Sequence, residues 1–193
     1  MNYKINEIFT SLQGEGVNTG REVTFIRLSG CNLSCSWCDT NHSEQMELNE
    51  DQILKMVLDS GKDSVILTGG EPTIWDLDPL KQKLKAAGLW VSIETNGTHK
   101  VNGFDYIAVS PKSMDSIQIE SADEVRVVYP GSFTKTEIIS LTEKIKAKYY
   151  MLSPLDSNGF QLEPCIKLLG DINKCNTIKW FLSIQTHKLL GIR

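Results

Sequence analysis

The chain has 193 residues, 40% of them hydrophobic and 23% charged, with a formal net charge of −4 at pH 7. That length buries a good core as a single domain, 1–193, and would cramp two; the composition is that of a soluble globular protein. The acidic balance, without any basic block, excludes long-range attraction to nucleic acid, and no apolar run approaches the about 18–20 residues of a membrane span.

No apolar h-region follows Met1-Asn2-Tyr3-Lys4, so no signal peptide is expected. Five cysteines without a secretory signal then point to a reducing, cytoplasmic compartment. Residues 3–20 carry Glu7-Ile8-Phe9 and a polar turn, Gln13-Gly14-Glu15-Gly16. The turn reads either as a hairpin connection, since glycine suits tight backbone, or as a loop that lets backbone approach a flat heterocycle while Gln13 and Glu15 offer a donor and an acceptor. Val23–Leu28 is β-branched and aromatic, hence a strand, and delivers the loop that starts at Ser29-Gly30. Arg27 is the odd residue in it: a solvated side chain, or a planar fork for a carboxylate if it points into a cavity.

Asn49 with Gln52 forms a capping-box pattern before a helix whose apolar stripe is Ile53, Met56 and Val57, closed by Gly61. Val65–Leu67 is a short strand ending in Thr68-Gly69-Gly70-Glu71-Pro72. Asp78 as N-cap, Pro79, an apolar face of Leu80, Leu84 and Ala87, and then Gly88 mark the next helix. Strands follow at 90–93, 106–109 and 124–129. Thr134 with Glu137 caps a helix carrying Ile138, Leu141 and Ile145. Tyr149–Leu152 is a strand running into Ser153-Pro154-Leu155-Asp156, the last amphipathic helix holds Ile166, Leu169 and Ile172, and 178–182 is the final strand. Strands alternating with helices predict an α/β fold with a parallel sheet. Polar, Gly- or Pro-containing clusters end strand after strand, at the cysteine loop, 68–72, 94–97, 110–112 and 153–156. Parallel sheets bind ligands at the carboxyl ends of their strands, so these five clusters are expected around one cavity. A closed eight-unit barrel takes about 250 residues; a partial, open TIM-like βα barrel fits this length.

Cys31, Cys35 and Cys38 stand at C-x3-C-x2-C spacing. Structural zinc and closed iron–sulfur centres take four protein ligands, whereas three thiolates on a four-iron cluster leave one iron open to a small molecule. Zinc stays as an alternative, with His42 as a fourth ligand. Cys165 and Cys175 lie away from every motif and read as ordinary buried thiols.

This loop resembles the cluster loop of the radical S-adenosylmethionine (SAM) enzymes, with Trp37 as the aromatic residue before the last cysteine, and 68–72 resembles their GGEP motif. The flanking pieces resemble the 7-carboxy-7-deazaguanine synthase family within that superfamily: Ser11-Leu12-Gln13-Gly14-Glu15-Gly16, Phe25–Leu28, Cys38-Asp39-Thr40, Ser110-Pro111-Lys112 and Gln185-Thr186-His187-Lys188. The match runs along the whole chain.

The resemblance implies a [4Fe–4S] cluster on Cys31, Cys35 and Cys38, with SAM on the open iron, cleaved on reduction to a 5′-deoxyadenosyl radical and regenerated at the end of the cycle. It implies SAM contacts from Trp37 and Asp39, from Gly70 and Glu71, from Ser110, Pro111 and Lys112, and from Ser153, Pro154, Leu155 and Asp156, with Glu94 and Asn96 near the ribose. Thr40 would contact Mg2+, whose remaining ligands are waters and substrate. The implied reaction is ring contraction of 6-carboxy-5,6,7,8-tetrahydropterin to 7-carboxy-7-deazaguanine with loss of ammonia, in queuosine and 7-deazapurine biosynthesis. The implied substrate contacts are Leu12, Gln13, Gly14, Glu15, Arg27, Thr68, His187 and the terminal carboxylate of Arg193. A flavodoxin or ferredoxin reductant and a homodimer are further implications; no nucleic acid or membrane partner is expected. The alternatives are a glycyl-radical enzyme activase acting on a partner protein, and a non-enzymatic iron–sulfur or zinc module.

Overall fold

The structure is a computed structural model and describes residues 1–156 and 159–192. Its strands form one sheet built from β1 (Asn2–Leu12), β2 (Glu22–Leu28), β3 (Met46–Asn49), β4 (Ser64–Gly69), β5 (Trp90–Thr95), β6 (Tyr106–Val109), β7 (Ser121–Tyr129), β8 (Lys146–Pro154) and β9 (Trp180–Leu182). The order is β3-β1-β2-β4-β5-β6-β7-β8-β9. β1 runs antiparallel to both its neighbours, and every pairing from β2 to β9 is parallel. The first and last strands do not pair, so the βα barrel is open, as its length requires.

Helices α1 (Glu50–Asp59), α2 (Asp78–Ala86), α3 (Lys135–Lys144) and α4 (Leu162–Cys175) are followed at the far end of the chain by the short α5 (Thr186–Leu190). The two capping boxes are formed. Gln52 N donates to Asn49 Oδ1 at 3.0 Å and Asn49 N to Gln52 Oε1 at 2.9 Å; Thr134 and Glu137 exchange the same pair of bonds. No helix among the described residues is long and apolar enough to cross a membrane.

Some details depart from the sequence reading. Asp78 is the first residue of α2 and not its N-cap; its N–H is met by Asp76 Oδ1, and its carboxylate pairs with the buried Lys81. Lys81, not the exposed Ala87, completes the face of Leu80 and Leu84. Ile53 and Val57 are buried but Met56 is 38% exposed. On α4 the buried face is Cys165, Leu168 and Ile172, whereas Ile166 is 55% exposed. The final strand begins at Trp180, and β3 and α5 carry too short a pattern to stand out.

The period of two along each strand sorts the sheet into two faces. Ile26 and Leu28, Val65 and Leu67, Val91 and Ile93 pack under α1 and α2, while Val125, Val127, Tyr150 and Leu152 pack under α3 and α4. Arg27, Thr68, Glu94, Arg126 and Ser153 fall on the opposite parity and line the concave face. A parallel sheet has no solvated face to accept them. Their charge and polarity therefore mark a ligand cavity.

Candidate active site

Two adjoining cavities, of about 350 and 400 Å³, open at the carboxyl ends of the parallel strands and share a wall that includes Glu15, Thr40, Thr68 and Glu94. The 350 Å³ cavity gathers all five strand-ending clusters. Cys31, Cys35, Trp37, Cys38, Asp39, Gly70, Asn96, Ser110, Lys112, Ser153, Pro154, Leu155 and Asp156 line it, with His42 on the same wall.

The cysteine loop is fixed by backbone bonds at its root. Gly30 N donates to His42 O at 2.9 Å and Glu71 N to Gly30 O at 3.0 Å. Trp75 Nε1 holds Ser29 O, and Asn96 holds Asn32, which in turn holds Thr98. Gly70 is where two turns touch: a Cβ there would lie 2.1 Å from Gly30 O and 2.9 Å from Cys31 Cβ. Cys31 and Cys35 are half-buried and Cys38 is exposed; burial pushes the Cys31 thiol up, which a bound cation would reverse. Among the described residues no three His, Cys, Asp or Glu side chains converge as around one ion. A four-iron cluster asks for a different arrangement, three thiolates each on a separate iron around a shared space.

The residues fit a cluster with SAM beside it. The donor set is three soft thiols on one wall. Across from them Ser153 Oγ is buried with no hydrogen-bond partner and lines the cavity, and such a group calls for a ligand. Lys112 donates to Ser110 Oγ at 2.6 Å, and burial lowers its ammonium pKa.

Two predicted contacts lie behind this wall. Pro111 is buried outside the cavity lining. Glu71 is 1% exposed, and its carboxylate is occupied within the protein: Oε1 accepts from Thr73 N, Thr73 Oγ1 and Thr95 Oγ1, and Oε2 from Asn96 N at 2.6 Å. Its side chain braces the turn, while the turn's glycine backbone faces the cavity.

The 400 Å³ cavity is lined by Leu12, Gln13, Gly14, Glu15, Arg27, Thr68 and His187, and by Glu7, Phe9, Phe25 and Lys188. Arg27 Nε donates to Glu7 Oε1 at 2.7 Å; burial lowers the guanidinium pKa, against the charges of Glu94 and Asp39. Phe9 and Phe25 stack at 5.0 Å and give the cavity a flat apolar floor. The loop between β1 and β2 is the hairpin connection, and its residues Gln13, Gly14 and Glu15 also line the cavity. A Cβ at Gly14 would sit 2.0 Å from His187 Nδ1, so the glycine is what lets that ring against the loop. The Gln13 side chain turns inward, donating to Glu94 and accepting from Glu15 N. Arg193 lies outside the described residues.

Gln185 and Lys188, which belong to the closing motif but were given no role from it, complete the walls. Gln185 donates to Glu15 at 2.9 Å and to Asp39 at 3.1 Å, and Lys188 bridges Asp39 at 2.7 Å and Asp156 at 3.0 Å. Burial would raise the Asp39 carboxyl, but these donors hold it below the usual carboxylate range. Arg126 was missed although a signal existed: charges alternating with valines in Glu124-Val125-Arg126-Val127 belong inside a sheet covered on both faces.

Cys165 has no part in the site. It is fully buried, which pushes its thiol to about 11. In cluster-free protein at pH 7.5, iodoacetamide is expected to alkylate the loop cysteines within minutes and to spare Cys165 until the fold is unfolded, as read by peptide mass mapping.

An open parallel sheet with three thiols in the loop after its first parallel strand is the architecture of a radical SAM domain, and the radical SAM superfamily pattern matches residues 25–148. The chain is 44% identical over 192 residues to the 7-carboxy-7-deazaguanine synthase of Bacteroides thetaiotaomicron, covering 98% of each. It is 44% identical over 201 residues to that of Haemophilus influenzae, covering 99% of this chain and 94% of the relative. The crystal structure of QueE from Escherichia coli superposes with a TM-score of 0.76 at 30% identity, over 97% of this chain and 95% of that one. The chain belongs to the 7-carboxy-7-deazaguanine synthase family of the radical SAM superfamily.

Proposed function

We propose that this chain, acting as a single domain over residues 1–193, contracts the ring of 6-carboxy-5,6,7,8-tetrahydropterin to 7-carboxy-7-deazaguanine with loss of ammonia, in queuosine and 7-deazapurine biosynthesis. The observation that carries the reading is the pair of cavities sharing one wall, one ringed by thiols and the other by a guanidinium above stacked aromatic rings. When bound, a reduced [4Fe–4S] cluster and SAM supply a 5′-deoxyadenosyl radical, and the protein supplies position and exclusion of water.

Cys31, Cys35 and Cys38 would hold the cluster. The Gly69-Gly70 backbone, Ser110, Lys112 and the 153–156 turn would hold SAM, with Trp37 and Asp39 flanking it, Pro111 shaping the turn, and Glu71 acting through the turn it braces. In the neighbouring cavity Arg27 would take the substrate carboxylate. The backbone of Leu12, Gln13 and Gly14, with Glu15, Thr68 and His187, would hold the polar edge of the pterin. Thr40, on the shared wall, would contribute one oxygen to a Mg2+ ion completed by water and substrate. The terminal carboxylate of Arg193 would be a further substrate ligand. A cytoplasmic homodimer reduced by a flavodoxin or ferredoxin completes the proposal.

The test is anaerobic. Reconstituted protein is mixed with SAM, Mg2+, dithionite and 6-carboxytetrahydropterin, and the products are followed by mass spectrometry. The expected result is 7-carboxy-7-deazaguanine and ammonia in equal amounts. Steady 5′-deoxyadenosine release without that product would keep the radical chemistry and overturn the substrate.

A further inference from the structure

Arg126 is 5% exposed and reaches carboxylates from three parts of the chain. Its Nη1 donates to Glu15 Oε2 at 2.8 Å in the loop between β1 and β2 and its Nη2 to Glu94 Oε1 at 2.5 Å at the end of β5, while Nε lies 2.9 Å from Glu124 Oε1 on β7 itself as an ion pair without hydrogen-bond alignment. The remaining oxygens also face donors. Gln185 donates to Glu15 Oε1, Thr68 to Glu94 Oε2, and Val17 N and the Tyr106 hydroxyl to Glu124 Oε2. Carboxylates surrounded in this way act as acceptors only, hence ionised. Burial would raise the Glu94 carboxyl, yet Arg126, Gln13 and Thr68 bring it below its ordinary value.

Glu124 is buried, and Glu15 and Glu94 stand half-buried on the cavity walls, so the buried Arg126 cation is what offsets the repulsion among the three. The other cations lining the two cavities are bonded elsewhere, Lys112 to Ser110, Arg27 to Glu7 and Lys188 to Asp39 and Asp156, and His187 is a further titratable side chain on the substrate-cavity wall. Glu15 and Glu94 line both cavities. Glu15 Oε1 and Glu94 Oε2 each meet one side-chain donor, and a carboxylate oxygen has lone pairs for two.

We infer that Arg126 is a positioning residue for both halves of the site: its guanidinium fixes Glu15 and Glu94, as ionised acceptors, on the wall between the substrate cavity and the SAM cavity. A ligand N–H arriving from one side, or a ribose hydroxyl from the other, then finds an acceptor already aimed. The inference rests on the functional reading above and adds to it a residue that need not touch either ligand.

Without the cation, the repulsion between Glu15, Glu94 and Glu124 favours uptake of a proton by the group. The sign follows. A carboxyl raised in this way is neutral at low pH, where the geometry survives, and the repulsion grows as pH rises through its new pKa.

The experiment is equilibrium binding of labelled SAM to the reconstituted, unreduced holoprotein at pH 6.5 and 8.5, with and without 6-carboxytetrahydropterin. Wild type is expected to change by less than about twofold between the two pH values. Arg126→Gln is expected to bind about tenfold more weakly at pH 8.5 than at 6.5, and Arg126→Lys to show a smaller difference. If Arg126→Gln does not fold, the double variant Arg126→Gln/Glu124→Gln carries one buried charge fewer, keeps the Glu15–Glu94 repulsion, and is expected to show the same pH dependence. Wild-type affinity with a flat pH profile, or a loss equal at both pH values, would overturn the inference. Wild-type protein that carries its cluster and binds no SAM would overturn the functional reading and this inference with it.

Discussion

Replacing Cys35 by alanine is expected to leave the protein folded but colourless, and to lower turnover by more than about a thousandfold, some 4 kcal/mol of barrier. Three loop thiols face the cavity, and the other described thiol, Cys165, is on the buried face of α4, outside the cavity lining and unable to substitute. A four-iron cluster left with two thiolates has two unprotected irons and is lost to chelators. His42 and Asp39 line the same cavity and are side chains of ligand type that could take over. Iron content and visible absorption therefore belong beside the activity assay. Iron falling from about four per chain together with activity supports the thiol assignment, whereas a brown, active Cys35→Ala protein would transfer the ligand role to another residue.

Gly70→Ala is expected to cost about 2–3 kcal/mol of stability, the scale of overpacking, or roughly 5–10 °C in Tm for a chain of this size. It should also release the cluster from protein that remains folded. The added Cβ would lie 2.1 Å from Gly30 O, a backbone atom already fixed by the Glu71 N–H, and 2.9 Å from Cys31 Cβ. Neither neighbour can yield without moving the first cluster cysteine. Gly20→Ala is the control. Gly20 has φ +88° but nothing within 4 Å of a Cβ, so that variant carries only the backbone strain of about 1 kcal/mol and should keep its iron. Equal iron content in the two variants would show that the contact between the Gly70 turn and the cysteine loop does not hold the cluster in place.

The strand-ending clusters were legible because two local rules coincide. A run such as Val65-Ile66-Leu67 has one reading as a buried parallel strand, and polar residues after it have one place to go, the carboxyl edge of the sheet. The helices announced themselves by their caps at Asn49 and Thr134. What stayed hidden depends on distant partners. The Gln13 amide is held along the cavity wall by Glu94, 81 residues later, which accepts from it. Glu71 is drawn inward by Thr95 and Asn96, and no local pattern states that pairing. Lys188 joins Asp39 and Asp156 only once the last helix has folded back over both loops. Ile166 shows the opposite failure: its spacing is right for the apolar stripe of α4, but the sheet lies one residue round the helix, under Cys165 and Leu168.

The central claim is that ligands in the two cavities meet across their shared wall. The most direct measurement uses substrate carrying deuterium at C6, the position from which the proposed reaction has the 5′-deoxyadenosyl radical take a hydrogen, turned over anaerobically, with SAM recovered and weighed by mass spectrometry. Deuterium in the 5′ position of recovered SAM, accumulating over successive turnovers and absent from the Cys35→Ala protein, is the predicted result. Product formed at the normal rate with SAM unlabelled would contradict the account.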